Sequence, residues 1–372
     1  MSSITYVGMD VHKNSFSLCA IDGASGEILS EAQCASEAKQ VLKFVHGLEG
    51  RLGEKLTVKL GYEAGCLGYW LYQSLDSLGV DCEILAPCTM YHSAKNKVVK
   101  NDKADARMIA QNLANGTYKA VHVPDVQDIE TKEYLRMVQA TKKSFKRIKQ
   151  MMKALVLRQG YKYEGKSAWT QAYFQWLQSL EMSDLLRETL NEYLLQYENL
   201  QDRIARFEAR IVELSSKERY EVPIGHLRSF KGIDTLSAMT VQVEISDFSR
   251  FPSAKSFCAY LGLTPSEPSS GEKMKLGGIT KQGNRLVRST LIECSRSLVR
   301  GNLGHKSKRL IARQQGQPSE VIAYVDKAAE RLQRKYSRLL YSGKAANKAI
   351  TAIARELACF IWGLSTGHCQ VL

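Results

Sequence analysis

Two β-patterned, apolar runs in this chain end on carboxylates, and that arrangement restricts its folding more than any other feature. Thr5-Tyr-Val-Gly-Met leads directly into Asp10, and Leu56-Thr-Val-Lys-Leu-Gly-Tyr leads into Glu63. An acid at the end of an apolar strand is costly to bury without a partner, so each must meet water or a cation. A third acidic stretch, Asn101-Asp102-Lys-Ala-Asp105-Ala-Arg, opens a run of helical pattern, and residues three apart on a helix share a face. Two strand ends and one helix start can bring four carboxylates together, the oxygen-rich surrounding that Mg²⁺ prefers. Two such ions about 3.5–4 Å apart can clamp the attacking and leaving oxygens of an in-line phosphoryl displacement. The acids point to a metal-dependent enzyme acting on nucleic acid.

The periodicity around them predicts an α/β domain. Strand-like runs fall near 4–11, 15–22, 27–33, 56–63 and 82–86, and helical runs near 36–50, 66–79 and 104–115. Such alternation builds a sheet with helices packed on it. Pro124 marks the exit from this region. Beyond it Val138, Phe145 and Met152 recur at heptad spacing with Ile148 and Leu155 alongside. After an aromatic linker from Trp169 to Trp176, a stronger seam places Leu190, Tyr197, Ile204 and Ile211 at one heptad position and Tyr193, Leu200, Phe207 and Leu214 at the other. The pattern predicts an antiparallel coiled-coil hairpin or a dimerisation rod. A length of 372 residues suits two to three domains, with boundaries expected at 1–124, 125–221 and 222–372.

The formal net charge of +14 is unevenly distributed. Residues 126–163 carry 10 Lys and Arg against 3 Asp and Glu, and residues 222–372 carry 23 against 10. Segregated basic charge is the electrostatic footprint of a polyanionic partner. Lys142, Lys143, Lys146, Arg147, Lys149 and Lys153 lie in the acid-free stretch 134–163 and are the candidates there for contacts to DNA or RNA phosphates. Nine cysteines without a Cys-x-x-Cys pair argue against a disulfide framework or a zinc site. No run reaches the roughly 18 apolar residues of a membrane span, and the expectation is a cytoplasmic protein associated with the nucleoid.

The C-terminal third is expected to be mainly helical, with helices near 282–301, 317–341 and 344–364. Phe230-Lys-Gly-Ile-Asp234 resembles the turn of a helix-hairpin-helix, in which backbone N–H groups meet a phosphate. Between Pro265 and Gly278 lies a Ser/Gly-rich loop containing Ser269, Ser270 and Gly271, with Lys273, Lys275 and Lys281 following and Arg285 and Arg288 beyond. A serine hydroxyl becomes a nucleophile only with a base, a metal or positive charge nearby. The lysines supply charge that would stabilise an attacked phosphodiester. As a bare pattern, however, Pro-Ser-Ser-Gly is an ordinary flexible loop.

The order Asp, Glu, Asp-x-x-Asp, on Val-Gly-Met-Asp10, Tyr-Glu63-Ala-Gly and Lys-Asn-Asp102-Lys-Ala-Asp105-Ala-Arg, resembles the DEDD transposases of bacterial insertion sequences and the related Piv-type DNA invertases. Gly262-Leu-Thr-Pro-Ser-Glu-Pro-Ser-Ser270-Gly followed by Gly277-Gly-Ile-Thr-Lys281-Gln-Gly-Asn284-Arg-Leu-Val-Arg288 is similar to the C-terminal domain of the same family. The resemblance covers nearly the whole chain. One departure is Cys66, where many relatives carry Thr or Ser in the turn after the glutamate.

The resemblance implies an N-terminal domain like the RuvC Holliday-junction resolvase, within the RNase H-like fold. It implies that Asp10, Glu63, Asp102 and Asp105 bind Mg²⁺ and that Ser270 attacks a DNA phosphodiester, with Ser269 the adjacent alternative. It further implies donor and target duplex DNA as substrates, a structured noncoding guide RNA encoded by the element, and a dimer or tetramer whose serine and acids come from different protomers. Two other readings predict different behaviour. A resolvase of the same fold would cut DNA through metal-activated water without Ser270, and a non-enzymatic nucleic-acid-binding protein would be indifferent to Asp10→Asn.

Overall fold

The computed structural model describes residues 4–53, 55–91, 101–266 and 277–369. The chain divides into two compact units, Met1–Val123 and Pro124–Leu372. In the first, β1 (Ile4–Val11), β2 (Ser15–Asp22), β3 (Ile28–Ala35), β4 (Thr57–Glu63) and β5 (Cys82–Leu85) form one sheet in the order β3-β2-β1-β4-β5. β1 is antiparallel to β2 and parallel to β4, β2 is antiparallel to β3, and β5 is parallel to β4. The helices are α1 (Ala38–Leu52), α2 (Trp70–Ser77) and α3 (Asp102–Asn115).

Strand alternation sorts the side chains of the sheet. Val7, Met9, Phe16, Leu18, Leu60 and Tyr62 enter a core with Val41 and Leu48 of α1 and Leu71 and Leu75 of α2. The opposite face is built for α3. A Cβ on Gly8 would stand 2.2 Å from Ala110 N and 2.3 Å from Ala106 O, so only glycine lets β1 come this close to the helix backbone. Gly61, its register partner on β4, would meet Leu113 and Leu85 side chains at 2.8 Å. Arg107 on α3 binds Glu31 on β3 through two hydrogen bonds, Nε to Oε1 at 2.5 Å and Nη2 to Oε2 at 2.7 Å, which fixes the helix across the antiparallel strands.

The second unit is helical. α4 (Val126–Arg158) and α6 (Asp184–Ser215) form an antiparallel hairpin, with α5 (Gln171–Ser179) at its far end. Leu135 and Val138 of α4 share a core with Ile211 and Leu214 of α6, while Ile148, Met152 and Leu155 pack with Leu190 and Tyr197 at the other end. The two heptad seams thus close on each other within one chain, and the pattern by itself does not require a second copy. The aromatic stretch expected as a linker is largely α5, whose Tyr173 and Leu177 are buried in that far core.

The remaining helices are α7 (Glu218–Arg228), α8 (Thr235–Ile245), α9 (Ala254–Tyr260), α10 (Arg285–Leu298), α11 (Lys308–Gln314), α12 (Ser319–Tyr341) and α13 (Ala346–Ser365). They enclose Phe230, Met239, Phe257, Leu291, Leu332 and Leu357. α7 continues through residue 222, where the change of composition suggested a boundary. Gly232, in the turn between α7 and α8, has φ +89° and lies against α10, where a Cβ would meet Cys294 O at 2.4 Å. That glycine serves helix packing. Among the described residues no helix is long and apolar enough to cross a membrane.

Candidate metal centre and the serine-loop stem

Alternation along β1 and β4 places Asp10 and Glu63 on the α3 face, each two residues beyond the glycine that admits the helix. Asn101 caps α3 by accepting a hydrogen bond from Ala104 N at 2.7 Å, and Asp102 and Asp105 fall in the first turn, where carboxylates favour the helix dipole. Asp102 approaches Asp10 through His12. The His12 Nε2 lies 3.1 Å from Asp10 Oδ2 and 3.7 Å from Asp102 Oδ1, and one donor atom from each of the three residues lies within 4.8 Å of the others. Burial pushes the Asp10 carboxyl above its ordinary value; His12 opposes this, and the negative charges of Asp102 and Asp105 add to it. A carboxyl so placed gains from a cation. Glu63 ends β4 beside this group, half-buried, but is not part of the three-residue cluster.

Ser269, Ser270, Lys273 and Lys275 lie outside the described residues. The two segments that flank them are paired. Ser266 N donates to Gly278 O at 2.7 Å, Gly277 N to Ser266 O at 2.8 Å, Thr280 N to Thr264 O at 2.9 Å and Lys281 N to Gly262 O at 3.1 Å. Gly262 and Gly283 both have positive φ, and a Cβ on Gly283 would stand 1.7 Å from Tyr260 O. Arg288, expected at a nucleic-acid surface, instead belongs to this stem. It is buried at 8% exposure and donates from Nη1 to Leu261 O at 2.8 Å and Gln282 O at 2.9 Å, one carbonyl on each leg. Its Nη1 is thereby committed to the stem. Arg285 and Lys281 are exposed, Lys281 with φ +59°. Asn284 caps α10 and donates to Oε2 of buried Glu244 at 2.8 Å, which also receives Arg136 Nε of α4 at 2.9 Å.

The basic face of α4 is mixed in its engagements. Lys143, Lys146, Arg147 and Lys153 are exposed. Lys142 pairs with Glu208 of α6 at 2.6 Å. Lys149 sits over the rings of Trp169, Phe145 and Tyr197 at 4.5, 5.1 and 6.0 Å, and burial lowers its pKa.

Comparison with known proteins bears on both halves of the chain. Residues 7–161 match the family of DEDD transposases of the IS110 type, and residues 225–310 match the transposase family described as IS116/IS110/IS902. The protein y4qE of Sinorhizobium fredii, named as a transposase, is 31% identical over 370 residues, 97% of this chain and 88% of the relative. The transposase of insertion sequence element IS1533 from Leptospira borgpetersenii is 30% identical over 347 residues, 91% of this chain and 97% of the relative. The transposase of IS1111A from Coxiella burnetii is 22% identical, covering 98% of this chain and 91% of the relative. The chain belongs to the IS110/IS116/IS902 family of transposases.

As a transposase of this family the protein is an enzyme that cleaves and recombines DNA, and the DEDD class implies use of a divalent metal. The donor set fits one: two carboxylates and an imidazole from β1, its following turn and α3 suit a hard or borderline divalent ion. His12 is the residue that sequence reasoning missed. Its only signal was its place two positions after Asp10, just past the strand end. Arg107 lies within the acidic motif, yet its role in anchoring α3 through Glu31 depends on strand β3, which no local spacing reveals.

Proposed function

We propose that this transposase exchanges DNA strands through a phosphoserine intermediate formed by Ser270, with Asp10, Glu63, Asp102 and Asp105 holding Mg²⁺. The observation that carries the metal assignment is the meeting of Asp10 and Asp102 about His12, with Asp105 near enough to act on the Asp10 carboxyl. The strand order β3-β2-β1-β4-β5, with three antiparallel strands followed by two parallel to the first, supports reading the first unit as a RuvC-like, RNase H-like domain. The antiparallel packing of α4 and α6 supports reading these two helices as a coiled-coil hairpin.

Bound Mg²⁺ would supply electrostatic stabilisation of the charge that develops on the attacked phosphate. Ser270 forms an Oγ–P bond as the P–O3′ bond breaks, and the proton given up by the serine is balanced by the one gained by the departing 3′ oxygen. A free 3′-hydroxyl of the partner DNA reverses these bonds, so the phosphodiester energy is kept and no nucleotide triphosphate is needed. Asp10, Glu63, Asp102 and Asp105 would hold the cation, and the three-residue spacing on α3 keeps Asp102 and Asp105 on one face. Stem residues Arg288, Gly262 and Gly283 fix where the serine segment leaves and rejoins the helical unit. By family resemblance, a noncoding guide RNA selects donor and target DNA, and two or more copies contribute serine and acids to each site.

The test is a covalent protein–DNA adduct trapped on a suicide substrate with Mg²⁺. Ser270→Ala is expected to abolish the adduct and Ser269→Ala to retain it, while Asp10→Asn abolishes both adduct and cleavage. An adduct lost only in Ser269→Ala would move the nucleophile by one residue. Cleavage by the wild type with no adduct would replace this reading with water-mediated hydrolysis.

A further inference from the structure

We propose that the outer face of α12 is a separate contact for the phosphate backbone of duplex DNA. Lys327, Arg331, Arg334 and Arg338 follow one another at steps of four, three and four residues, and Tyr341 continues the row three residues on. All five are exposed, Tyr341 at 96%. Steps of three and four keep residues on one side of a helix, and the rotation of α12 is fixed by its other side, where Val321, Val325, Ala328 and Leu332 are buried in the core of the helical unit. The row therefore cannot turn inward.

Beside it lies a cleft of about 540 Å³ lined by these cations and by Lys335, Glu330 and Glu356. Glu356 of α13 binds Arg331 Nε at 2.7 Å and also pairs with Lys335, while Glu330 binds Arg334 Nη2 at 3.2 Å. Arg338 has no ion pair among the described residues.

A solvated helix face usually mixes both signs. Here the cleft is lined by five cations and two carboxylates, an excess of positive charge that a polyanion relieves. The geometry fits that partner. At about 1.5 Å per residue the row from Lys327 to Arg338 is about 16 Å long. One DNA strand carries a phosphate every ~3.4 Å along the duplex axis, so the row spans about five of them. The inference rests on DNA being the substrate and on neither the metal nor the serine.

Full-length protein carrying Lys327→Gln, Arg334→Gln and Arg338→Gln together tests it, by titration against a duplex DNA probe in EDTA from about 50 to about 200 mM salt. The expected result is at least a tenfold weaker affinity and a slope of log K against log salt lower by about 2–3, at about 0.9 per lost phosphate contact. Glu330→Gln is expected to shift affinity the other way, which a folding defect would not do. An unchanged slope in the triple variant overturns the proposal. So does a loss seen with single-stranded or structured RNA but not with duplex DNA. Asp10→Asn in the same titration is expected to keep the wild-type slope, so failure of the metal assignment and failure of this one are read separately.

Discussion

Asp128, buried at the start of α4, accepts hydrogen bonds from three residues on other elements. Arg219 reaches it with Nε at 3.0 Å and Nη2 at 2.8 Å, Tyr220 with its hydroxyl at 2.6 Å, and Ser246 with Oγ at 2.6 Å. Burial raises the carboxyl, and those donors, Arg219 foremost, outweigh it and bring the pKa below 3.8. A lowered carboxylate pKa contributes stability that is present above the unfolded value and lost as pH falls through the folded one. Asp128→Asn is therefore expected to cost about 3 kcal/mol at pH 7, as for breaking a buried pair, and the gap from wild type should close below about pH 4. Urea unfolding of both proteins from neutral to acid pH checks this; equal stability at pH 7 would refute it. None of this was legible in the sequence, because Asp128 reads locally as an ordinary acid in a first helical turn and its partners lie about 90 to 118 positions away. The placement of Asp10 near a strand end and of Asp102 at a helix start was legible because strand and helix patterns are local. The stem role of Arg288 was not legible, because the carbonyls that its guanidinium meets lie 27 and 6 positions away.

Among the elements, β1 and α3 carry the candidate site, and Gly8 sets their separation. Gly8→Ala would bring a methyl into the α3 backbone at Ala106 O and Ala110 N, atoms that cannot rotate away. The expected cost is about 3 kcal/mol, the upper part of the usual range for overpacking, together with loss of strand cleavage as Asp102 moves from Asp10. Differential scanning calorimetry and a cleavage assay would measure both, and a variant with wild-type melting temperature would refute the argument. The strands were legible to within a few residues because period-two alternation is local. The partner of each heptad seam was not, since spacing defines a stripe on a helix without saying what covers it. The short helices α5, α9 and α11 were missed because 7 to 9 residues give too few turns for helical periodicity to stand out. α5 was further disguised by its aromatic composition, whose rings pack on Tyr163, Trp169 and Tyr197.

For the whole molecule, the two units each have their own core residues, and domains with separate cores fold as units. Residues 124–372 expressed alone are expected to remain helical, unfold cooperatively, and bind duplex DNA with a salt dependence near that of the full chain, while producing no cleavage. Circular dichroism and the DNA titration above check this, and an unfolded fragment would refute it. The overall α/β-then-helical order was readable from the alternation and heptads, but the continuity of α7 through residue 222 was not, because composition changes there while packing does not.

The paired legs that close at Ser266 and Gly277 have an evolutionary consequence. Once a stem fixes the two ends of a segment, lengthening the segment adds little entropy, about 0.6 kcal/mol for each doubling. Lineages that lengthen or shorten the segment between these ends are then expected to alter the stability of the stem little, whereas Ser270 stays bound to its proposed chemistry. Arg288 and the two glycines act as a fixed socket, which lets the length of the segment change without a matching change in the scaffold that holds it.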